Sequence, residues 1–330
     1  MAMRQPAVVG VGSALVDQLC HVPFSLLEEI PGAKGGTVNL TAEELSRMLA
    51  SLPPNGSCMA RGGAAANTIE CLARLGTRTG FLAKVGNDQA GRFFREELEK
   101  SGVCTAGLQP DERPTGRVIS LITPDSDRTM RRCFDGIANL SQGDLSADDF
   151  APYTHCLVEG YLVDEEPLVE EACRLAAEGG LEVHVDLGAP EMVAAHRSFW
   201  RSLLPRYVTT VYANDKEAAA LTGEAEPHTA LASLARMCPN PIVKLGADGV
   251  LLLDGGTVQH IPARQVTAVD GTGAGDSWAA GYLHGILNGW DAVASAEFGA
   301  LLASEIVQVT GTQLPDEAWM RIHNHKTSLP

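Results

Sequence analysis

The sequence has no hydrophobic run long enough to cross a bilayer, which takes about 20 apolar residues. Its longest apolar run near the N-terminus, Ala7 to Val16, is interrupted by Gly10, Gly12 and Ser13 and stops at Asp17. No small-x-small cleavage pattern follows it cleanly, so it reads as a first core strand and not as a secretory signal. Aromatic residues are scarce at 5%, and cations are outnumbered, with 25 Lys+Arg against 41 Asp+Glu for a net charge of −16. That balance lacks the basic footprint of a nucleic-acid binder. It leaves room for a small anionic ligand, because a pocket of backbone N–H groups binds phosphate even on an acidic protein. The eight cysteines form no C-x-x-C pair and several lie in apolar runs, so reduced core thiols in a cytoplasmic protein are expected.

What the chain does have is 330 residues, 45% of them hydrophobic, and 34 glycines. The length admits one large domain or two ordinary ones. Buried-strand patterns occur at Ala7–Val16, Thr79–Val85, His155–Leu162, Leu181–Asp186, Tyr207–Ala213, Pro241–Leu245 and Val250–Leu253. Helical patterns lie between them: Ala64–Leu75 before Gly76, Ala90–Lys100 before Gly102, and Pro167–Ala177 before Gly179-Gly180. Alternating strands and helices predict an α/β fold with a mostly parallel sheet covered on both faces. Two regions break the alternation. Cys20 to Cys58 shows no immediate crossover helix, and Thr115 to Phe134 reads as a hairpin turning at Pro124–Asp127. Antiparallel pieces added to a parallel sheet suggest a small β lid over its active edge.

Three motifs carry chemistry. The first is Asp270-Gly271-Thr272-Gly273-Ala274-Gly275-Asp276, followed by a small-residue helical stretch, Ser277 to Leu287. Closely spaced glycines allow a sharp turn, and the unpaired N–H groups opening a helix form an anion site. A carboxylate beside such a site, Asp276, is placed to take a proton from an attacking hydroxyl. The plainer alternative is a helix start with a stabilising Asp. The second is Arg61-Gly62-Gly63-Ala64-Ala65-Ala66-Asn67, where paired glycines and an amide suit a polyhydroxy substrate; a simple helix cap is the alternative. The third is Asn214-Asp215-Lys216-Glu217, directly after a strand. Asn214 and Glu217 are three residues apart, so one helical face could present both toward a hydrated Mg²⁺. The alternative is a charged helix start capped by Asp215.

Taken together, these motifs resemble the ribokinase-like (PfkB) carbohydrate and nucleoside kinases across nearly the whole chain. Asp270–Asp276 is similar to the family's C-terminal signature and Gly62–Asn67 to its N-terminal one. Gly86–Gly91 resembles its G-x-D-x-x-G stretch, and Lys244–Gly249 resembles its nucleotide-binding turn. The resemblance implies a ribokinase-like three-layer fold: one kinase domain over residues 1–330, with a lid from segments near 18–62 and 104–136. It implies ATP as co-substrate with Mg²⁺, and transfer of the γ-phosphate to a primary alcohol of a small sugar or nucleoside. By this resemblance Asp276 is the catalytic base, and Gly273, Ala274 and Gly275 form the anion hole. Asp17, Gly62, Gly63, Asn67 and Glu159 bind the acceptor. Asn214, Lys244, Gly246, Gly249 and Thr272 bind ATP. Asn214 and Glu217 hold Mg²⁺ through water, and Asp270 belongs to a K⁺ site.

Several departures refine the likeness. Gly271 replaces the usual residue after Asp270. Ala64 stands where ribokinases proper carry lysine, and no asparagine follows Asp186-Leu187-Gly188-Ala189. With the long Cys20–Cys58 segment and Ser304–Gln308, these favour the adenosine-kinase-like branch, with fructokinase- or ribokinase-type sugars as the alternative acceptors. Arg131 and Arg132 occupy the second lid strand, where alternation sends neighbours to opposite faces. A homodimer through an apolar lid face is a further expectation.

Other classes fit less well. A dinucleotide fingerprint beginning at Gly10-x-Gly12 would need glycine at position 15, which is Leu15. A nucleophile elbow at Gly275–Ala279 lacks its final glycine. A non-catalytic sensor on a kinase scaffold is disfavoured because every proposed catalytic position is intact. His323 and His325 read as a solvated tail and 324–330 as frayed.

Overall fold

Val- and Ile-rich runs that are apolar almost continuously must bury both faces, and helices with one apolar stripe supply the cover. The computed structural model describes residues 5–28, 30, 32, 34, 37–52, 57–124, 128–133 and 138–326. Its strands are β1 Ala7–Val11, β2 Leu15–His21, β3 Thr37–Asn39, β4 Ser57–Gly62, β5 Arg78–Gly86, β6 Leu108–Asp111, β7 Gly116–Ile122, β8 Arg128–Cys133, β9 His155–Glu159, β10 Glu182–Asp186, β11 Thr210–Asn214, β12 Asn240–Lys244, β13 Val250–Asp254 and β14 Thr257–Ile261. The larger sheet runs β14-β13-β12-β11-β10-β9-β1-β5-β6. It is parallel from β12 to β6, with β13 and β14 added antiparallel.

Alternation splits the core in two. Val8, Leu157, Tyr212, Ile242 and Leu252 face helices Ala64–Arg74, Gln89–Lys100, Ala274–Leu287 and Ala292–Ile306. Val9, Val158, Val183, Val211 and Val243 face helices Glu166–Glu178, Arg197–Tyr207 and Pro227–Leu234. This is the ribokinase-like three-layer α/β arrangement. A second sheet, β3-β8-β7-β2-β4, stands beside it. One of its faces packs Cys20, Ile119, Leu121 and Cys133 against Leu45 and Met48 of helix Ala42–Ser51. That face is therefore covered by the chain itself.

Several boundaries differ from expectation. Ala7–Val16 is two strands, β1 and β2, and Gly12 follows the first, where a Cβ would lie 2.6 Å from the Glu159 carboxylate. The chain narrows there, leaves the large sheet and enters the small one as β2. His155–Leu162 stops at Glu159 and continues as 3₁₀ turns over Gly160–Glu165. Tyr207 ends a helix, and its strand begins at Thr210. The Cys20–Cys58 segment contains helix Ala42–Ser51, opened by a reciprocal Thr41/Glu44 capping box. His323, Asn324 and His325 sit in the last turn of helix Asp316–Lys326 and not in a loose tail. The turn residues Asp125–Asp127, Phe134 and Thr327–Pro330 lie outside the described residues. Among those described, no helix is long and apolar enough to cross a membrane, and none of the eight cysteines is in a disulfide.

Helices Ala274–Leu287 and Ala292–Ile306 approach each other through glycine. A Cβ on Gly281 would fall 2.7 Å from Gly299 Cα, and one on Gly285 would fall 2.4 Å from Ser295 Oγ. Both backbones are pinned, so neither yields. Gly281→Ala is therefore expected to destabilise by about 1–3 kcal/mol through overpacking, despite alanine's better helix propensity. A thermal midpoint at or above wild type would contradict this contact.

Candidate active site

The parallel strands end together, and their last residues are polar. β9 closes on Glu159, β10 on Asp186, β11 on Asn214 and β12 on Lys244. Ligands bind open α/β sheets at this carboxyl edge. Helix Ala274–Leu287 begins at the same edge. Gly273 caps it at φ +76°, and a Cβ there would meet Thr312 Cγ2 at 2.9 Å, so glycine is required twice over.

The N-terminal motif meets the C-terminal one here. Gly63 caps helix Ala64–Arg74 at φ +94°, which turns Asn67 toward the second helix. Asn67 Nδ2 donates to Asp276 Oδ2 at 2.7 Å, and Thr68 Oγ1 donates to the Asp276 carbonyl at 3.2 Å. Arg61, 1% exposed, donates to Asn67 Oδ1 at 3.0 Å and pairs with Glu70. This fixes the amide's orientation, so its NH₂ can point only at Asp276. Asp17 lies alongside: a Cβ on Gly62 would be 3.3 Å from its carboxylate. Glu159, 2% exposed, accepts the Ala65 N–H at 3.2 Å.

On the other flank Lys244 Nζ bonds Asp186 Oδ2 at 2.8 Å. A Cβ on Gly275 would lie 3.2 Å from that ammonium, so glycine lets the cation reach the helix start. Within the expected anion hole, Ala274 N–H already donates to Gly271 O at 3.2 Å, and Ser277 N–H opens the intrahelical ladder on Gly273 O at 2.9 Å. The N–H groups of Gly275 and Asp276 lie between them in the unpaired first turn.

Asn214 and Glu217 are brought together, but chiefly with each other. Asn214 is the N-cap of helix Asp215–Thr222, so the alternative of a helix start capped by Asp215 does not hold. Its Oδ1 accepts Glu217 N–H at 2.8 Å, while Glu217 accepts from Asn214 N at 2.8 Å and Nδ2 at 2.6 Å. Asp270 accepts from Thr272 N and Oγ1 at 2.9 and 2.6 Å and from Gly311 N at 2.9 Å, which ties the glycine-rich loop to the turn after residue 307. Gly246 and Gly249, at φ +62° and +96°, shape the turn between β12 and β13. Of the two arginines on β8, Arg131 is fully buried on the helix-covered face and donates to Gly32 O at 3.0 Å. Arg132 shares its face with Val118 and Asp17 by register.

Burial pushes the Asp276 carboxyl up to about 6; the Asn67 bond opposes this and the Asp186 charge adds to it. Burial and Asp186 likewise raise Glu217 to about 7, and burial raises Glu159 to about 8. Burial also works against the Lys244 charge, but Asp186 and Glu217 outweigh it and hold its pKa above the ordinary value. Asp186 and Arg61 escaped the sequence reading as site residues, although an acidic residue closing a buried strand was a usable signal. Tyr161 escaped it too. It is 46% exposed beside Gly188. Its hydroxyl is raised to about 12, first by burial and then by Glu217, Asp186, Glu159 and Asp276.

A glycine-capped helix start, a buried carboxylate and a lysine at the carboxyl edge of a ribokinase-like sheet are the parts a phosphotransferase site needs. A family model described as pfkB family carbohydrate kinase matches residues 44–319. The chain belongs to that family, whose members are ATP-dependent phosphotransferases, and it is an ATP-dependent small-molecule kinase. It is 29% identical over 289 residues to an aminoimidazole riboside kinase of Salmonella typhimurium, covering 80% of this chain and 88% of that protein. It is 30% identical over 237 residues to a fructokinase of Klebsiella pneumoniae, covering 68% and 76%. Among solved structures it is similar to an adenosine kinase from Sinorhizobium meliloti, with a TM-score of 0.83, 29% identity and coverage of 97% and 99%.

Removing the Asn67 amide removes the donor that favours ionised Asp276. Asn67→Ala is expected to move the acid limb of kcat/KM to higher pH than in wild type, since the proton then leaves Asp276 less readily. An unmoved limb in a folded variant would separate Asn67 from the protonation of Asp276.

Proposed function

We propose that the chain moves the γ-phosphoryl group of ATP to a primary alcohol of a small sugar or nucleoside, with an adenosine-like acceptor favoured and Asp276 as general base. The observation that carries this reading is the Asp276 carboxylate, bonded by Asn67 at 2.7 Å at the opening of the glycine-rich helix, with a pKa of about 6. It is largely ionised at neutral pH yet basic enough to accept a proton in the transition state. The acceptor O–H proton passes to an Asp276 oxygen as the oxygen–phosphorus bond forms and the bond from phosphorus to the ADP oxygen breaks. The N–H groups of Gly275 and Asp276, with Lys244, stabilise the transferring group. Asp17, Gly62, Gly63, Asn67 and Glu159 bind the acceptor. Gly246, Gly249 and Thr272 line the nucleotide side, with Asn214 acting as the cap that holds Glu217 in place.

Asp186, Glu217 and Asp276 all act on the one Lys244 ammonium, and the Asp186 charge adds to burial in raising Glu217 and Asp276. Such a surplus of hard oxygen donors fits hydrated Mg²⁺ arriving with ATP. When bound, the ion would offset phosphate charge, held through water by Glu217 and Asp186. A K⁺ site at Asp270 belongs to the same reading, since a carboxylate that accepts from Thr272 and Gly311 can also ligate a monovalent cation.

The five-stranded sheet, with Asp17 and Arg132 on one face, is the proposed lid over the acceptor; closing it would keep water from competing. Tyr161 supports the nucleoside preference, since an exposed ring beside the carboxylates offers a stacking surface to a base. The names of the similar proteins support both acceptor types: riboside and adenosine kinases on one side, fructokinase and dehydrogluconokinases on the other. A reducing compartment such as the cytoplasm suits eight free thiols.

The test is ADP release by the purified protein with Mg²⁺ and ATP across a panel of nucleosides and free sugars. Acceptor-dependent turnover highest with a riboside is expected. Turnover confined to sugars would keep the mechanism and replace the acceptor. ATP binding with no acceptor-dependent ADP across the panel would overturn the catalytic reading in favour of a sensor.

A further inference from the structure

At the opposite end of the large sheet, the N-terminal end of its parallel strands, three metal-ligand side chains meet. His155 opens β9 and Glu182 opens β10, directly paired in register; His184, two residues on, shares their face. The donor atoms of His155, Glu182 and His184 all lie within 4.8 Å of one another. His155 Nε2 is 3.6 Å from Glu182 Oε2, and the two imidazole rings stack at 5.4 Å between centroids.

The outer partners leave these donors facing inward. Thr154 Oγ1 donates to Ala7 O and stands 2.9 Å from His155 Nδ1. With the hydroxyl proton so placed, Nδ1–H donates to Thr154, and Nε2 is the atom that faces the Glu182 carboxylate, a gap that a proton or a metal ion can bridge. His184 Nδ1 is 3.3 Å from the Tyr212 hydroxyl. Its Nε2 is buried with no hydrogen-bond partner, and the residue is 1% exposed. Metal-binding histidines commonly have their second nitrogen fixed by an outer partner in this way. Glu182 is exposed, which gives an ion an entry path and leaves a position for water.

We propose that His155, Glu182 and His184 bind a divalent transition metal of the zinc class, remote from the phosphotransfer site. Two imidazoles and a carboxylate suit zinc, and a water would complete four-coordination. Around zinc at about 2.0–2.1 Å, ligand atoms stand roughly 3.4 Å apart. The His155–Glu182 separation is already close to that, and small side-chain rotations bring in His184. Mg²⁺, which prefers an all-oxygen octahedron, is the wrong ion here.

The test titrates Zn²⁺ into the nucleotide-free, reduced full chain by calorimetry, and follows Co²⁺ by its visible absorption. One equivalent bound, a raised thermal midpoint, and at least 10-fold weaker binding in Glu182→Gln and in His155→Gln are expected. Glu182 is exposed, so its variant should match wild type in thermal unfolding with EDTA, which separates ligand loss from misfolding. No stoichiometric binding would overturn the proposal; the His155–Glu182 contact is then an ordinary ion pair. Binding equally tight in both variants would overturn it as well, assigning the metal to other groups such as the exposed Cys58 and Cys104.

Discussion

A hydrogen bond between residues 209 apart in sequence, from Asn67 to Asp276, joins the two halves of this protein's chemistry. The first glycine pair opens a helix that carries Asn67, and the last glycine cluster opens a helix that carries Asp276. Neither residue is useful without the other's position. Arg61 orients the amide, Thr68 holds the backbone of the partner helix, and the Gly281–Gly299 contact sets how deeply that helix sits. The mostly apolar sheet and its helices supply a rigid edge on which the polar strand ends converge.

Charge is the second constraint. The chain carries a net charge of −16, and its site adds Asp186, Glu217, Glu159, Asp276 and Asp17. For ATP such a surface would be repulsive if side-chain charge alone decided. In the proposed reading, Lys244, the unpaired N–H groups at a helix N-terminus and a cation travelling with the nucleotide reverse the sign locally. Burial, with the Asp186 charge added to it, raises the Asp276 pKa, and on the same reading that makes a weak carboxylate into a useful base.

Much of this was legible before any coordinates. Buried apolar strands alternating with capped helices fixed the α/β class, and the glycine motifs marked both helix starts at the site. What escaped had physical reasons. The close approach at Gly12 is to the distant Glu159 carboxylate, which local propensity cannot register. Helix Ala292–Ile306 is buried nearly all round and so shows little amphipathic period. Asn214 satisfies its own helix through a reciprocal cap, and only coordinates show that its amide is spent there. Arg131 and Arg132 were separable in principle by alternation, but which of them faced Asp17 depended on register across β7. Tyr161 follows a strand within 3₁₀ turns, where no periodicity announces a side chain.

The central claim is that Asp276 takes the acceptor's proton while the surrounding frame holds the phosphoryl group. Single-turnover phosphoryl transfer in Asp276→Asn, measured alongside ATP affinity, tests it most directly, since asparagine keeps the shape and cannot accept the proton. The account predicts a transfer rate lower by roughly 10²–10⁴, the scale of a lost general base, with ATP binding little changed. Transfer near the wild-type rate in a folded Asp276→Asn protein would contradict it.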